Sequence, residues 1–307
     1  MKILVLGAGG VGGYFGGRLV ESGADVHFLV RPKRAQQLAA NGLVIKSPVG
    51  DAKLRVVTVL AAEVSSDYDI VLFTCKAYDL DDAVAAIKPA MGPATAVLPL
   101  LNGMKHMQRL DAEFGRARVL GGVAQIAANL SPDGEILHLN ELHTLIFGER
   151  ERPSSPRCEA LAAIMGKAKF DSALTDRIEL DLWEKFMFLA TLAAMSCLMR
   201  AGVGPIVRTE EGAALMLEML GECRSVAAAE GFAPRPEFMQ RVRGMLTDRG
   251  RAMSASMMRD IEKGGPIEGE HIVGDMLERA RRHGLAAPLL RVARCHLQTY
   301  EIVRSGH

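Results

Sequence analysis

Apolar residues in the first 150 positions fall in short runs separated by stretches of helical periodicity. Lys2-Ile3-Leu4-Val5-Leu6 is a short apolar strand ended by Gly7. Glycines continue to Gly17, and a helix of about 12 residues runs to Gly23, where a C-cap is expected. Val26 to Val30 is the next apolar strand, and further strand patterns lie at 43–46, 54–59, 69–74, 95–100 and 118–123. Helical stretches at 32–41, 79–90 and 104–114 stand between several of them. Strands alternating with helices predict a parallel, doubly wound sheet. Two alternating segments, 135–139 and 143–147, flank polar turns and are expected to close this domain as hairpin-like additions.

After Phe147 the period changes. From Pro156 onward the chain reads as helix throughout, over 156–168, 177–200, 208–231, 235–263, 268–283 and 288–303, with no strand expected. The expectation is therefore an α/β fold of two domains, 1–170 with the doubly wound sheet and 171–307 all-helical. The longest apolar run, Phe186 to Met199, is interrupted only by Thr191 and Ser196. Its 14 residues fall short of the roughly 20 that cross a bilayer, so it reads as a buried core helix. Eleven of the 16 methionines lie between Met187 and Met276, which reads as core filling.

Composition narrows the function classes. With 37 Lys plus Arg against 36 Asp plus Glu, the formal charge is +1, and no local basic run supplies a nucleic-acid footprint. Neither a nucleic acid nor a membrane is expected as a partner. Five scattered cysteines (Cys75, Cys158, Cys197, Cys223, Cys295) without a CxxC pair suit reduced thiols, and the start MKILVLGAGG lacks the order of a secretory signal. A cytoplasmic protein is expected. The eight histidines make no HExxH, so no metal site is expected.

Gly7-Ala8-Gly9-Gly10-Val11-Gly12 is a G-x-G-x-x-G that directly follows a strand and opens a helix, the context in which it binds a dinucleotide rather than merely turning the chain. Gly7 permits the tight turn, Gly9 lets amides approach a pyrophosphate, and Gly12 allows close helix–strand packing. The helix N-terminus adds free N–H groups and partial positive charge. An NAD site usually ends its second strand in an acid; this strand ends in Arg31, with Lys33 and Arg34 behind it and Asp25 at the wrong end. A 2′-phosphate, hence NADP(H), is favoured over the alternative of a solvated basic turn.

Lys76 follows strand 69–74 and is placed either for a phosphate or ribose contact or as a surface charge. Asn102, in Leu101-Asn102-Gly103-Met104, either caps the next helix or faces nicotinamide and substrate. Lys185 stands beside the most apolar segment. It is either a snorkelling lysine or an ammonium whose pKa burial lowers into the range of a proton donor. Glu268 lies in a stretch broken by Gly264, Gly265, Pro266 and Gly269, which suits a functional loop or an ordinary helix corner.

Together these residues resemble the ketopantoate reductase (2-dehydropantoate 2-reductase) family over essentially the whole chain. The resemblance rests on the N-terminal glycine motif, Arg31, Lys76, Asn102-Gly103-Met104, Leu182-Trp183-Glu184-Lys185, and Ser256-Met257 with Asp260-Ile261 and Glu268. It implies a Rossmann-type domain followed by an all-helical domain, with the site in the cleft between them, reducing ketopantoate to pantoate with NADPH in pantothenate biosynthesis. On that resemblance Lys185 is the proton donor and Glu268 its acidic partner. Asn102 lies at nicotinamide and substrate, Ser256 binds substrate, and Gly7, Gly9, Gly10, Val11, Gly12, Arg31 and Lys76 hold the cofactor. A homodimer is expected by analogy alone. The chain departs from the family where asparagines usually stand four and eight residues after the lysine, here Leu189 and Ala193, with a third falling near Val203. A lost amide weakens discrimination for a polar substrate by about 1–3 kcal/mol. The competing expectations are a paralogue reducing a less polar 2-oxo acid and an NADPH-binding sensor without turnover.

Overall fold

The computed structural model describes residues 1–306 and resolves into two compact units. The first holds Met1–Leu101 and His106–Ile178; the second holds Asn102–Lys105 and the chain from Glu179 onward.

In the first unit, five parallel strands form one sheet: β1 (Lys2–Leu6), β2 (Asp25–Leu29), β5 (Val57–Val59), β6 (Ile70–Phe73) and β7 (Ala96–Pro99), in the order β5-β2-β1-β6-β7. That order is the doubly wound arrangement the alternation predicts, with β1 at the centre, where the switch point of such a sheet lies. Its helices are α1 (Gly10–Glu21), α2 (Pro32–Asn41), α3 (Leu80–Ile87), α4 (Lys105–Phe114) and α5 (Pro156–Met165).

A second sheet lies outside the sequence expectation. The segments read as separate additions at 135–139 and 143–147 are one long strand, β9 (Ile136–Gly148), which pairs antiparallel with β8 (Gly121–Leu130). Its first end also pairs with β3 (Leu43–Lys46), and its last with β10 (Asp171–Leu174), a strand where none was expected. β4 (Ala52–Leu54) pairs with β3, so the 54–59 strand is in fact split between two sheets. Because β10 is zipped to β9, the unit runs to Ile178 and not to the 170 read from the sequence.

α1 is sandwiched between both sheets, and its glycines permit it. A Cβ on Gly16 would strike Phe28, and one on Gly17 would strike Leu43 and Ile45. Glycine costs a helix interior about 1 kcal/mol relative to alanine; the return is a helix whose Tyr14, Phe15 and Leu19 are fully buried.

The second unit is helical: α6 (Ile178–Met199), α7 (Val203–Val207), α8 (Gly212–Ala229), α9 (Pro236–Thr247), α10 (Ser256–Glu262), α11 (Asp275–Arg282) and α12 (Pro288–Ser305). One stretch read as a single helix, 235–263, is interrupted after Thr247. The 208–231 stretch starts only at Gly212, where a Cβ would collide with the Ile206 carbonyl, and the preceding Val203–Val207 forms a short helix of its own. The 268–283 stretch opens with a π-helical turn, Glu270–Gly274. α6 is long and apolar enough to cross a membrane by length and composition, with 72% of its apolar window buried in protein. Phe186, Met187, Ala190, Ala193 and Ala194 lie inside.

Candidate active site

The glycine loop forms the turn that its sequence context implies. Gly7 takes φ +87°, a left-handed conformation open to glycine, and its N–H donates to the Leu29 carbonyl at 2.9 Å. Gly9 is the N-cap of α1, with no side chain capping the helix and no acid in its first turn. Thr74 donates its hydroxyl to the Leu6 carbonyl at 2.6 Å, and a Cβ at Gly12 would collide with that Thr74 oxygen and with the Gly7 carbonyl. At Gly10 it would fall 2.6 Å from the Ala128 carbonyl, whereas at Gly9 it would meet nothing within 4 Å. Gly10 and Gly12 are thus closed against protein, Gly7 is required by its positive φ, and Gly9, with Val11 half-buried beside it, opens at the helix N-terminus. This cradle fits a dinucleotide pyrophosphate.

Arg31 and Lys76 stand just past the carboxyl ends of β2 and β6, both exposed. Arg31, 77% exposed, donates to Asp79 Oδ1 at 3.0 Å. Sequence reading missed Asp79 because it sits 48 residues away, on the turn before α3. An exposed ion pair is worth at most about 1 kcal/mol, so it loosely parks the guanidinium. Arg34, read with Arg31 as part of one basic cluster, does something else. Its guanidinium donates to the Ala8 carbonyl at 2.9 and 3.2 Å and to the Gly134 carbonyl at 2.8 Å. It pins the glycine loop to the β8–β9 turn, a role visible only once β8 and β9 are paired.

The second unit carries the remaining candidates. Lys185 lies on α6 and keeps some solvent contact. Burial nonetheless lowers its ammonium to about 8, with Glu268 pulling the other way. Its sequence neighbour Glu184 is fully engaged elsewhere: Arg235 donates to it from its backbone N–H at 2.8 Å and from its guanidinium, which also reaches Asp181. Glu268 is therefore the carboxylate left to influence Lys185. It is buried, 6% exposed, and its backbone carbonyl accepts from the His271 and Ile272 N–H groups. The glycine-broken approach to it is anchored on α12. Tyr300 donates to the Gly265 carbonyl at 2.7 Å, and the Ile267 N–H donates to Glu301 at 2.8 Å.

Ser256 opens α10 and is half-buried. The preceding Ala255 N–H donates to Ser196 Oγ of α6 at 3.3 Å, and Ser196 in turn donates to the Leu192 carbonyl. Ser256 and Lys185 are thereby carried by elements tied to one another. Leu189 and Ala193 follow Lys185 at successive four-residue steps, so the helix flank beyond the lysine is apolar; Val203 is fully buried at the start of α7.

Asn102 follows β7, but α4 begins at Lys105, so Asn102 stands two residues before the cap position that one sequence reading gave it. Gly103 takes φ +79° and packs against His271. The imidazole of His271 bonds the Asn102 backbone, a contact with no motif in the sequence to announce it.

Residues 3–152 match the family model described as Ketopantoate reductase PanE/ApbA, and residues 177–301 match Ketopantoate reductase PanE/ApbA C terminal. The uncharacterized oxidoreductase YkpB of Bacillus subtilis (strain 168) is 38% identical over 301 residues, 98% of this chain and 99% of its own. A 2-dehydropantoate 2-reductase of Mesorhizobium japonicum is 28% identical over 92% of each chain. The crystal structure of a PanE/ApbA family ketopantoate reductase from Ralstonia eutropha JMP134 superposes with TM-score 0.89 at 27% identity, covering 99% of this chain and 100% of its own.

Proposed function

This chain belongs to the ketopantoate reductase family of NAD(P)-dependent oxidoreductases, and from that premise we propose that it reduces 2-dehydropantoate to pantoate with NADPH. The observation that carries the reading is Lys185, lowered to about 8 beside buried Glu268. A bound NADPH would supply the hydride to the keto carbon. Charge then develops on the keto oxygen, and Lys185 gives that oxygen its proton, completing the hydroxyl. At pH 7 such a lysine is still about nine-tenths protonated, so the acid is present when needed. Burial sets the acid's strength, and Glu268 moderates it by favouring the charged form. Ser256 and Asn102 bind substrate, Asn102 also meeting the nicotinamide. Gly7, Gly9, Gly10, Val11 and Gly12 receive the pyrophosphate. Arg31, once released from Asp79, and Lys76 hold the 2′-phosphate. The exchange favours phosphate, because a charge-assisted bond to it is worth about 1.5–3 kcal/mol against about 1 or less for the exposed pair. A cytoplasmic enzyme acting on a soluble 2-oxo acid, as a homodimer, fits the reading.

A second reading has support of its own. Leu189 and Ala193 put apolar surface where family members carry amides, and the 38%-identical relative has no stated substrate. A paralogue reducing a less polar 2-oxo acid would be built this way. NADPH oxidation against ketopantoate and a panel of branched and aromatic 2-oxo acids, with NADH as control, separates the readings. Highest kcat/KM for ketopantoate supports the first, and highest kcat/KM for an apolar acid supports the second. NADPH binding without turnover on any acid overturns both in favour of a sensor.

A further inference from the structure

Three buried polar residues connect the Asn102 loop to the helix that carries Lys185. His271, 8% exposed, is in the π-helical turn just after Glu268. Its imidazole bonds the Asn102 backbone, and its ring and carbonyl occupy the space that a Cβ on Gly103 would need, at 2.9 and 3.0 Å. One turn on, Asp275 is 4% exposed and faces both His271 and Arg279. Arg279, 5% exposed, donates to Asp275 at 3.1 Å and to Glu230 at 2.8 Å. Its guanidinium lies 5.1 Å from the ring centre of Trp183, two residues before Lys185 on α6. His283 meets the other oxygen of Glu230 at 3.1 Å.

His271, Asp275 and Arg279 are too well buried to be a solvated surface network, and the chain of contacts has a direction. It begins at the loop assigned to substrate and nicotinamide and ends on the helix of the proton donor. Burial lowers His271 to about 4, and Lys105 opposes its charge while Asp275 favours it, so at neutral pH the ring is uncharged. A neutral ring offers one N–H and one acceptor, which suits it to hold a carbonyl with a fixed orientation. The π-helical turn is consistent with such a role, since these irregular turns recur at functional sites. Gly103 is required by both its positive φ and the closeness of the ring.

We propose that His271, oriented by Asp275 and Arg279, is a positioning residue that fixes the Asn102–Gly103 loop relative to Lys185. The proposal rests on the reading of Asn102 and Lys185 given above, so its test includes a measurement that needs no turnover.

Compare wild type with His271→Phe, which keeps a ring but loses the N–H, and with His271→Gln and His271→Asn, which restore a donor. Hydrogen exchange of peptides covering residues 100–106 reads the loop directly. Steady-state kinetics, on the best substrate from the panel, read its consequence. The expected result is exchange at least tenfold faster in His271→Phe and kcat reduced 10- to 100-fold, as for other orienting residues. KM for NADPH should stay within threefold, and at least one amide variant should recover most of both effects. Unchanged exchange overturns the proposal, as does faster exchange with kcat within twofold, or loss in all three variants alike. If His271→Phe does not fold, Asp275→Asn takes its place with the same expectations. If wild type turns over no 2-oxo acid, the functional reading fails, and the exchange result alone decides whether His271 holds the loop.

Discussion

An ammonium held at about 8 destabilises the folded chain, and replacing Lys185 with methionine exposes that cost. The ordinary lysine value is 10.5, and the fall to about 8, at about 1.4 kcal/mol per pH unit, is a folded-state penalty of about 3 kcal/mol. This figure already contains the attraction to Glu268, so Lys185→Met does not forfeit it separately. Lys185 keeps some contact with solvent, which reduces the expected gain to about 1–2 kcal/mol. For a chain of this size that is a rise in Tm of about 2–3 °C. The single tryptophan, Trp183, lies in the same unit two residues away and reports the transition by fluorescence. The sign follows from proton binding. Below about pH 8 both folded and unfolded lysine are charged and the penalty is complete. Between 8 and 10.5 only the unfolded chain holds the proton, so wild type gains stability as pH rises. Above 10.5 the penalty has gone. Lys185→Met should therefore be more stable than wild type at pH 7, with the gap closing by pH 10, while kcat falls at least 100-fold. A variant less stable at pH 7, or a gap that ignores pH, refutes the reasoning.

Other consequences are sharp enough to measure. Gly9→Ala should leave Tm within about 1 °C, since its Cβ meets no protein atom, yet weaken NADPH binding at least tenfold by isothermal calorimetry. Gly12→Ala should cost about 1–3 kcal/mol in a urea melt as well as binding, because the added Cβ falls on Thr74 and Gly7. Arg31→Ala should raise the Kd for NADPH by about 10–100-fold and leave that for NADH unchanged. Asp79→Asn should tighten NADPH by up to about fivefold, since the pair it breaks is worth at most about 1 kcal/mol. A plot of kcat/KM against pH should fall about tenfold per unit above a break near pH 8, where Lys185 loses its proton.

The parallel sheet and its glycine loop were legible because each strand there is a short apolar run bounded by glycine or a helix. The second sheet was not. β9 carries exposed Leu139 and Leu142 and half-buried His143 at its middle, so its pattern breaks in two, while its pairing partners are far away in sequence. β10 offers four residues of mixed burial, too few for a period. The joint after Thr247 was hidden because apolar residues resume beyond it at Met253, Met257 and Met258, at helical spacing, and α7 was left out because its five residues are too few for a period. Among the candidate residues, Arg31, Lys76 and Lys185 could be picked out by their place beside a strand end or an apolar helix, and Glu268 by the glycine-broken stretch around it. Arg34, Asp79 and His271 could not, because their roles come from contacts 26, 48 and about 170 residues away along the chain. Arg34 and Arg31 differ by three positions and do unrelated work, which periodicity cannot resolve.

The most direct test is ketopantoate-dependent oxidation of NADPH by wild type and by Lys185→Ala, each with and without added ethylamine. The account expects wild-type turnover and a loss of about 10²–10⁴ in Lys185→Ala. Ethylamine should restore part of that rate by supplying an ammonium in the space the side chain vacated. Equal rates in the two proteins would contradict it.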